Sequence, residues 1–84
     1  MTDAANVLEE VLDARGRPCP WPIIEAAKAL ARLPAGARLV LWGTDPALPA
    51  DLQAFCASAG HALESVEHTP AGIVAKLRKV GFSP

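Results

Sequence analysis

Residues 20–43 read PWPIIEAAKALARLPAGARLVLWG, and this stretch decides the fold. From Pro20 to Leu33 the apolar positions Ile23, Ala27 and Leu30 recur at helical spacing, while Glu25, Lys28 and Arg32 fall on the opposite face, so the segment predicts an amphipathic helix. Pro34 and Gly36 stop it. Leu39, Val40, Leu41 and Trp42 then form a continuous apolar run bracketed by Gly36 and Gly43. Such a run suits a central strand buried on both sides better than half a helix.

Working upstream, Val7 to Leu12 mixes Val and Leu with Glu9 and Glu10 and reads as a first strand, ending at Asp13 and the loop Ala14-Arg15-Gly16-Arg17-Pro18. Strand, helix and strand in this order imply a right-handed parallel crossover. Working downstream, Asp45-Pro46 and Pro49 mark the start of a second helix, with Leu52, Phe55, Cys56 and Ala59 as its apolar stripe before Gly60. His61 to His68 predicts a third strand and Thr69-Pro70-Ala71-Gly72 a turn. In a fourth strand Ile73, Ala75 and Leu77 alternate with Val74, Lys76 and Arg78, so the last two strands should form an antiparallel hairpin. The order βαβαββ predicts an α/β (α+β) fold: a two-layer sandwich in which a mixed four-stranded sheet carries both helices on one face.

Composition agrees with one compact domain. The chain has 84 residues, 51% hydrophobic and 20% charged, which is a globular balance, so residues 1–84 are expected to make a single domain with residues 1–6 as a disordered N-terminus. A formal net charge of -1 with scattered Lys and Arg lacks the electrostatic footprint of a protein that tracks a phosphate backbone, so no direct nucleic-acid ligand is expected. The cluster Lys76, Arg78 and Lys79 reads as a solvated strand face. Met1 to Asn6 has neither a basic nor an apolar signal region, and no apolar run approaches the ~20 residues of a membrane span, so a cytoplasmic protein without membrane attachment is expected. Two cysteines are too few for a disulfide scaffold and should be thiols in a reducing compartment.

Of these two, Cys19 stands where chemistry is expected. Cys19-Pro20-Trp21-Pro22 lies at the junction of loop and first helix, with Pro20 at the first helical position and Cys19 as the N-cap. A thiolate there would face the positive end of the helix dipole, and Arg15 and Arg17 in the preceding loop could add to it, so a depressed thiol pKa is expected. Pro20 and Pro22 have no N–H to offer as capping donors, so they act by rigidity and by leaving the sulfur uncovered. A thioredoxin-type motif needs a second cysteine three residues on, where this chain has Pro22. A persulfide on Cys19 would therefore persist until an outside nucleophile arrived.

Leu12-Asp13, Gly16, Cys19-Pro20, Pro22, Asp45-Pro46, Asp51-Leu52, Phe55-Cys56 and Gly60-His61 together resemble the pattern of the TusA-like (SirA-like) sulfur carrier family, and the resemblance spans nearly the whole chain. It implies the same βαβαββ sandwich. It also implies a sulfurtransferase acting as a persulfide carrier, in which Cys19 accepts sulfur from a cysteine desulfurase or rhodanese-like donor and passes it to an acceptor protein, itself a sulfurtransferase. Family members serve transfer-RNA thiolation, molybdenum-cofactor synthesis and sulfur oxidation. No cofactor and no metal is implied. Gly16 and Pro18 would shape the approach loop, and Arg15, Arg17, Pro20, Trp21 and Pro22 complete the motif and its partner-docking surface. Arg17 stands where members usually carry Leu, a change that raises the local positive charge.

Two further readings compete with the carrier: a thiol redox protein using Cys19 and Cys56 as a distant pair, and a binding module without chemistry. Cys56, on the apolar stripe with Leu52 and Phe55, reads as core. Cys19, Cys56, His61 and His68 lack the close pairings of a zinc site. Asp13, Asp45 and Asp51 read as loop or capping residues, the last two as candidates for a partner-facing edge. A monomer that meets its partners transiently is expected.

Overall fold

The computed structural model describes residues 8–80, so the expectation for residues 1–6 lies outside it. Its elements are β1 (Glu9–Ala14), α1 (Trp21–Arg32), β2 (Arg38–Gly43), α2 (Leu48–Ala59), β3 (Ala62–Thr69) and β4 (Gly72–Arg78). They form one four-stranded sheet in the order β1-β2-β4-β3, with β1 parallel to β2 and β4 antiparallel to both of its neighbours. This is the mixed sheet and element order that the sequence predicts.

Alternation along the strands places both helices on one face. Leu39, Leu41 and Gly43 of β2 are buried, whereas Arg38, Val40 and Trp42 between them are only half-buried. The expectation that β2 is covered on both sides is therefore corrected: helices cover one face and the other is open to solvent. In β1, Leu12 and Ala14 point inward opposite Leu41 and Gly43, while Val11, opposite Val40, is 63% exposed. Burial of Ala14 carries β1 two residues beyond the predicted end at Leu12, because the Asp13 and Ala14 backbone continues the ladder with Trp42 and Gly43.

The core joins Ala26, Ala29 and Leu30 of α1 and Leu48, Leu52 and Cys56 of α2 to Leu39, Leu41, Ala75 and Leu77 of the central strands. Each fully buried leucine contributes on the order of 1.5–3 kcal/mol of transfer free energy. The alanines of α1 present little bulk toward the sheet and leave its leucines to fill the space. Ile23 and Ala27, predicted at the middle of the α1 stripe, are half-buried at its edge, and Ala59 of α2 is exposed. Leu48, Leu52 and Cys56 instead fall four residues apart on one face of α2.

Two devices fix the helix ends. Gly60 closes α2 in the left-handed conformation (φ 81°), donating its N–H to the Cys56 carbonyl at 2.9 Å. The Lys79 ammonium reaches the Leu30 and Leu33 carbonyls at 2.6 and 3.0 Å and so satisfies the C-terminal end of α1. Lys79 is thus a helix cap, and Arg78 pairs with Glu64; within the basic cluster read as a solvated face, Lys76 alone is exposed.

Because β1 and β2 are parallel neighbours, their carboxyl ends lie side by side, and α1 and α2 both start from that edge of the sheet. A side chain at Gly43 would collide with Leu48, so the glycine lets the first turn of α2 close onto the end of β2. The candidate site is built at this edge. Neither described helix is long and apolar enough to cross a membrane.

Candidate functional site

The loop from Arg15 to Pro20 crosses from β1 to α1, and hydrogen bonds tie it to the segment that leads from β2 into α2. Gly16 donates its N–H to Thr44 Oγ1 at 2.8 Å, and Cys19 donates its N–H to Asp45 Oδ2 at 2.9 Å. The other Asp45 oxygen takes the Ala47 N–H at 2.9 Å, so one carboxylate fastens two turns together. These two bonds hold the Asp45 carboxyl below the usual carboxylate range, that of Ala47 with the larger effect.

Cys19 is an exposed free thiol. Its Sγ donates to Asp51 Oδ2 in the first turn of α2 at 2.7 Å, and beside it an open groove of about 420 Å³ runs along Pro20, Ile23, Ala54, Phe55 and Ser58. Asp51 also lines this groove.

The expected depression of the Cys19 pKa is corrected by this geometry. The hydrogen bond to Asp51 pushes the thiol up, and desolvation and the charges of Asp51 and Asp45 add to the rise. The arginines expected to offset this are engaged elsewhere. Arg15 makes a two-pronged ion pair with Asp13, both bonds at 2.9 Å, and its guanidinium carbon lies 5.4 Å from the centre of the Trp42 ring. Arg17 lies over the Trp21 ring at 4.8 Å. The helix also starts one residue later than predicted, with Pro20 as N-cap and Trp21 as first residue, so Cys19 stands outside the first turn.

The remaining motif residues divide between surface and interior. Gly16 (φ 79°), Pro18 and Pro20 are exposed, and the Pro18 carbonyl accepts the Trp21 N–H at 3.0 Å. Trp21 is half-buried and packs against the core under Arg17. Pro22 is fully buried, so it shapes the start of α1 from within and offers a partner no surface. Cys56 is 3% exposed, as its place on the apolar stripe predicts, and burial pushes its thiol up. His61 tilts against Phe55 with ring centres 6.0 Å apart, and the described residues bring together no group of three or more His, Cys, Asp or Glu suited to a metal.

Asp51 is the site residue that sequence reasoning undervalued. The signal was available: helices that follow parallel neighbouring strands start side by side, so the first turn of α2 must approach the loop that precedes α1.

Fold and site together define a small two-layer α/β protein with one exposed thiol at the head of its first helix. The chain belongs to the TusA sulfurtransferase family, whose model (Sulfurtransferase TusA) matches residues 10–79. Two relatives bear the name "Putative sulfur carrier protein". One, from Neisseria meningitidis serogroup B, is 46% identical over 54 residues, 64% of this chain and 73% of that protein. The other, YrkI of Bacillus subtilis, is 40% identical over 68 residues, 81% of this chain and 88% of its own. The crystal structure of a SirA-like protein from Desulfitobacterium hafniense superposes with a TM-score of 0.75 at 26% identity, covering 86% of this chain and 99% of the other. Family and relatives' names support a sulfur-carrier role.

Proposed function

We propose that Cys19 accepts sulfane sulfur as a persulfide from a donor protein, a cysteine desulfurase or a rhodanese-like protein, and hands it to an acceptor sulfurtransferase in a cytoplasmic sulfur relay. The observation that carries this reading is the contrast between the two thiols: Cys19 is exposed at the mouth of a groove and Cys56 is buried in the core.

In the loading step Cys19 gives up its proton, and the thiolate attacks the outer sulfur of the donor persulfide. A bond forms between the two sulfurs, the donor's own sulfur–sulfur bond breaks, and the donor leaves as a thiolate that takes up a proton. Delivery repeats the step with the acceptor's thiolate as nucleophile and Cys19 as leaving group. No net oxidation occurs, and neither step needs a cofactor. A buried Cys56 cannot swing out to discharge the persulfide as an intramolecular disulfide, so the sulfur stays until a partner collects it. The groove, walled by Ile23 and Phe55, receives the chain segment that brings the partner's sulfur into line. Arg15, Gly16, Arg17, Pro18, Pro20 and Trp21 frame its approach, and the protein meets its partners as a monomer.

Intact mass of the reduced protein after incubation with a cysteine desulfurase and cysteine tests this reading. One added sulfur, about 32 Da, removed by reductant and absent in Cys19→Ser, is the expected result. No gain with desulfurase, rhodanese or small-molecule persulfide donors would overturn it.

A further inference from the structure

The charges around the Cys19 sulfur are one-sided. From α2, Asp51 Oδ2 accepts the S–H at 2.7 Å; from the loop before α2, Asp45 holds the Cys19 N–H at 2.9 Å. The first turn of α1 carries no charged side chain, and Arg15 and Arg17 in the loop before Cys19 are turned to Asp13 and Trp21. The remaining groove-lining residues, Pro20, Ile23, Ala54, Phe55 and Ser58, are uncharged.

A free carboxylic acid ionises roughly four units below a free thiol, so in a contact between the two the proton stays on sulfur. Removing it would leave two anions touching, which is the like-charge case that most disfavours ionisation. The same contact aims the S–H bond at α2, so the sulfur's free side is left to the groove.

We propose that Asp51 is the positioning residue of the sulfur site: by accepting the Cys19 S–H it holds the resting sulfur as a thiol, and the free protein becomes a good nucleophile when that carboxylate is removed or drawn away. The sulfur-loading consequence rests on the reading above that Cys19 takes up sulfur; the effect on the thiol itself does not. The reaction in question is R–S–SH plus the Cys19 thiol giving R–SH plus the Cys19 persulfide, with the thiol proton leaving to solvent before the sulfur–sulfur bond forms. Asp51 controls the first of these events. It slows adventitious reaction of an exposed thiol while the protein is between partners.

The experiment compares wild type, Asp51→Asn, Asp51→Ser and Asp51→Glu, each checked for native circular dichroism, in two assays. The first is the rate of Cys19 alkylation by iodoacetamide against pH; the second is sulfur loading from glutathione persulfide, followed by intact mass. Loss of the charge in Asn or Ser should lower the alkylation midpoint and speed the reaction several-fold at neutral pH, while Glu, which keeps a carboxylate, stays near wild type. Loading should accelerate in the same order. Coincident alkylation profiles for wild type, Asn and Ser, or a midpoint raised in either variant, would overturn the proposal even if sulfur loads normally. A lowered midpoint with no sulfur gained by any of the proteins would leave Asp51 as assigned and sink the carrier reading instead.

Discussion

The backbone N–H of Cys19 donates to Asp45 Oδ2 at 2.9 Å, so the residue that bears the thiol is fastened at its backbone to the segment before α2. Asp45→Ala removes that anchor together with the Ala47 bond. Sulfur loading from a protein donor should slow about tenfold, within the range that a small misplacement of a reacting group brings. Asp45→Asn, which keeps one carbonyl acceptor, should lose less. Loading time courses by intact mass check both.

Asp13 gives a prediction in pH. The Arg15 guanidinium and backbone N–H hold its carboxyl at about 2, down from 3.8. A carboxyl depressed in the folded state adds stability above its unfolded pKa, and that contribution is lost as pH falls through the folded value. The stability difference between wild type and Asp13→Asn should therefore be constant above about pH 5, shrink below it and vanish only below about pH 2. Because the pair is exposed, the difference should be small at neutral pH and smaller still in high salt. Chemical denaturation across pH measures it.

Cys56 should matter for stability and not for sulfur. Cys56→Ala leaves a gap on the buried face of α2 and should cost about 1 kcal/mol, and Cys56→Ser, which buries a hydroxyl, about 1–3 kcal/mol. Both variants should still gain one sulfur on Cys19. A folded variant that fails to load would show that Cys56 takes part in the chemistry.

Gly72, at the start of β4, has φ 134°, and a Cβ there would stand 2.9 Å from the Gly43 carbonyl oxygen. Neither the backbone conformation nor the contact suits an L side chain. Gly72→Ala should cost about 1–3 kcal/mol, seen as a lower midpoint in urea. Lys79→Met should weaken α1 at its C-terminal end, because it removes the ammonium that satisfies the Leu30 and Leu33 carbonyls. Faster amide exchange in the last turn of α1 would report that.

The element order was legible because each boundary carries its own punctuation: Pro34 and Gly36 after α1, Pro49 in the first turn of α2, Gly60 after it, and Thr69 to Gly72 between the last strands. The sheet's open face was less so, since Leu39 to Trp42 is apolar throughout and nothing in the run marks which two side chains meet helices. Cys19 stood out as the candidate position from its neighbours in the chain, and it is an exposed thiol; its electrostatics were not legible. Arg15 and Arg17 are near it in sequence, but one folds back along the strand end onto Asp13 and the other lies on Trp21. The groups that do touch Cys19 come from 26 and 32 residues away. Local sequence proposes a charge environment; the packing of two helix starts against one sheet edge decides it.

Those distances also have a meaning in time. Thr44, Asp45 and Asp51, which restrain the Cys19 loop from α2 and the segment before it, follow the residues they hold by 26 to 32 positions. At synthesis rates of about 5–20 residues per second, Cys19 leaves the ribosome a few seconds ahead of these residues. During that interval Cys19 is an ordinary thiol without its carboxylate neighbours. The ribosome, and not the fold, then sets how long the cysteine goes unguarded.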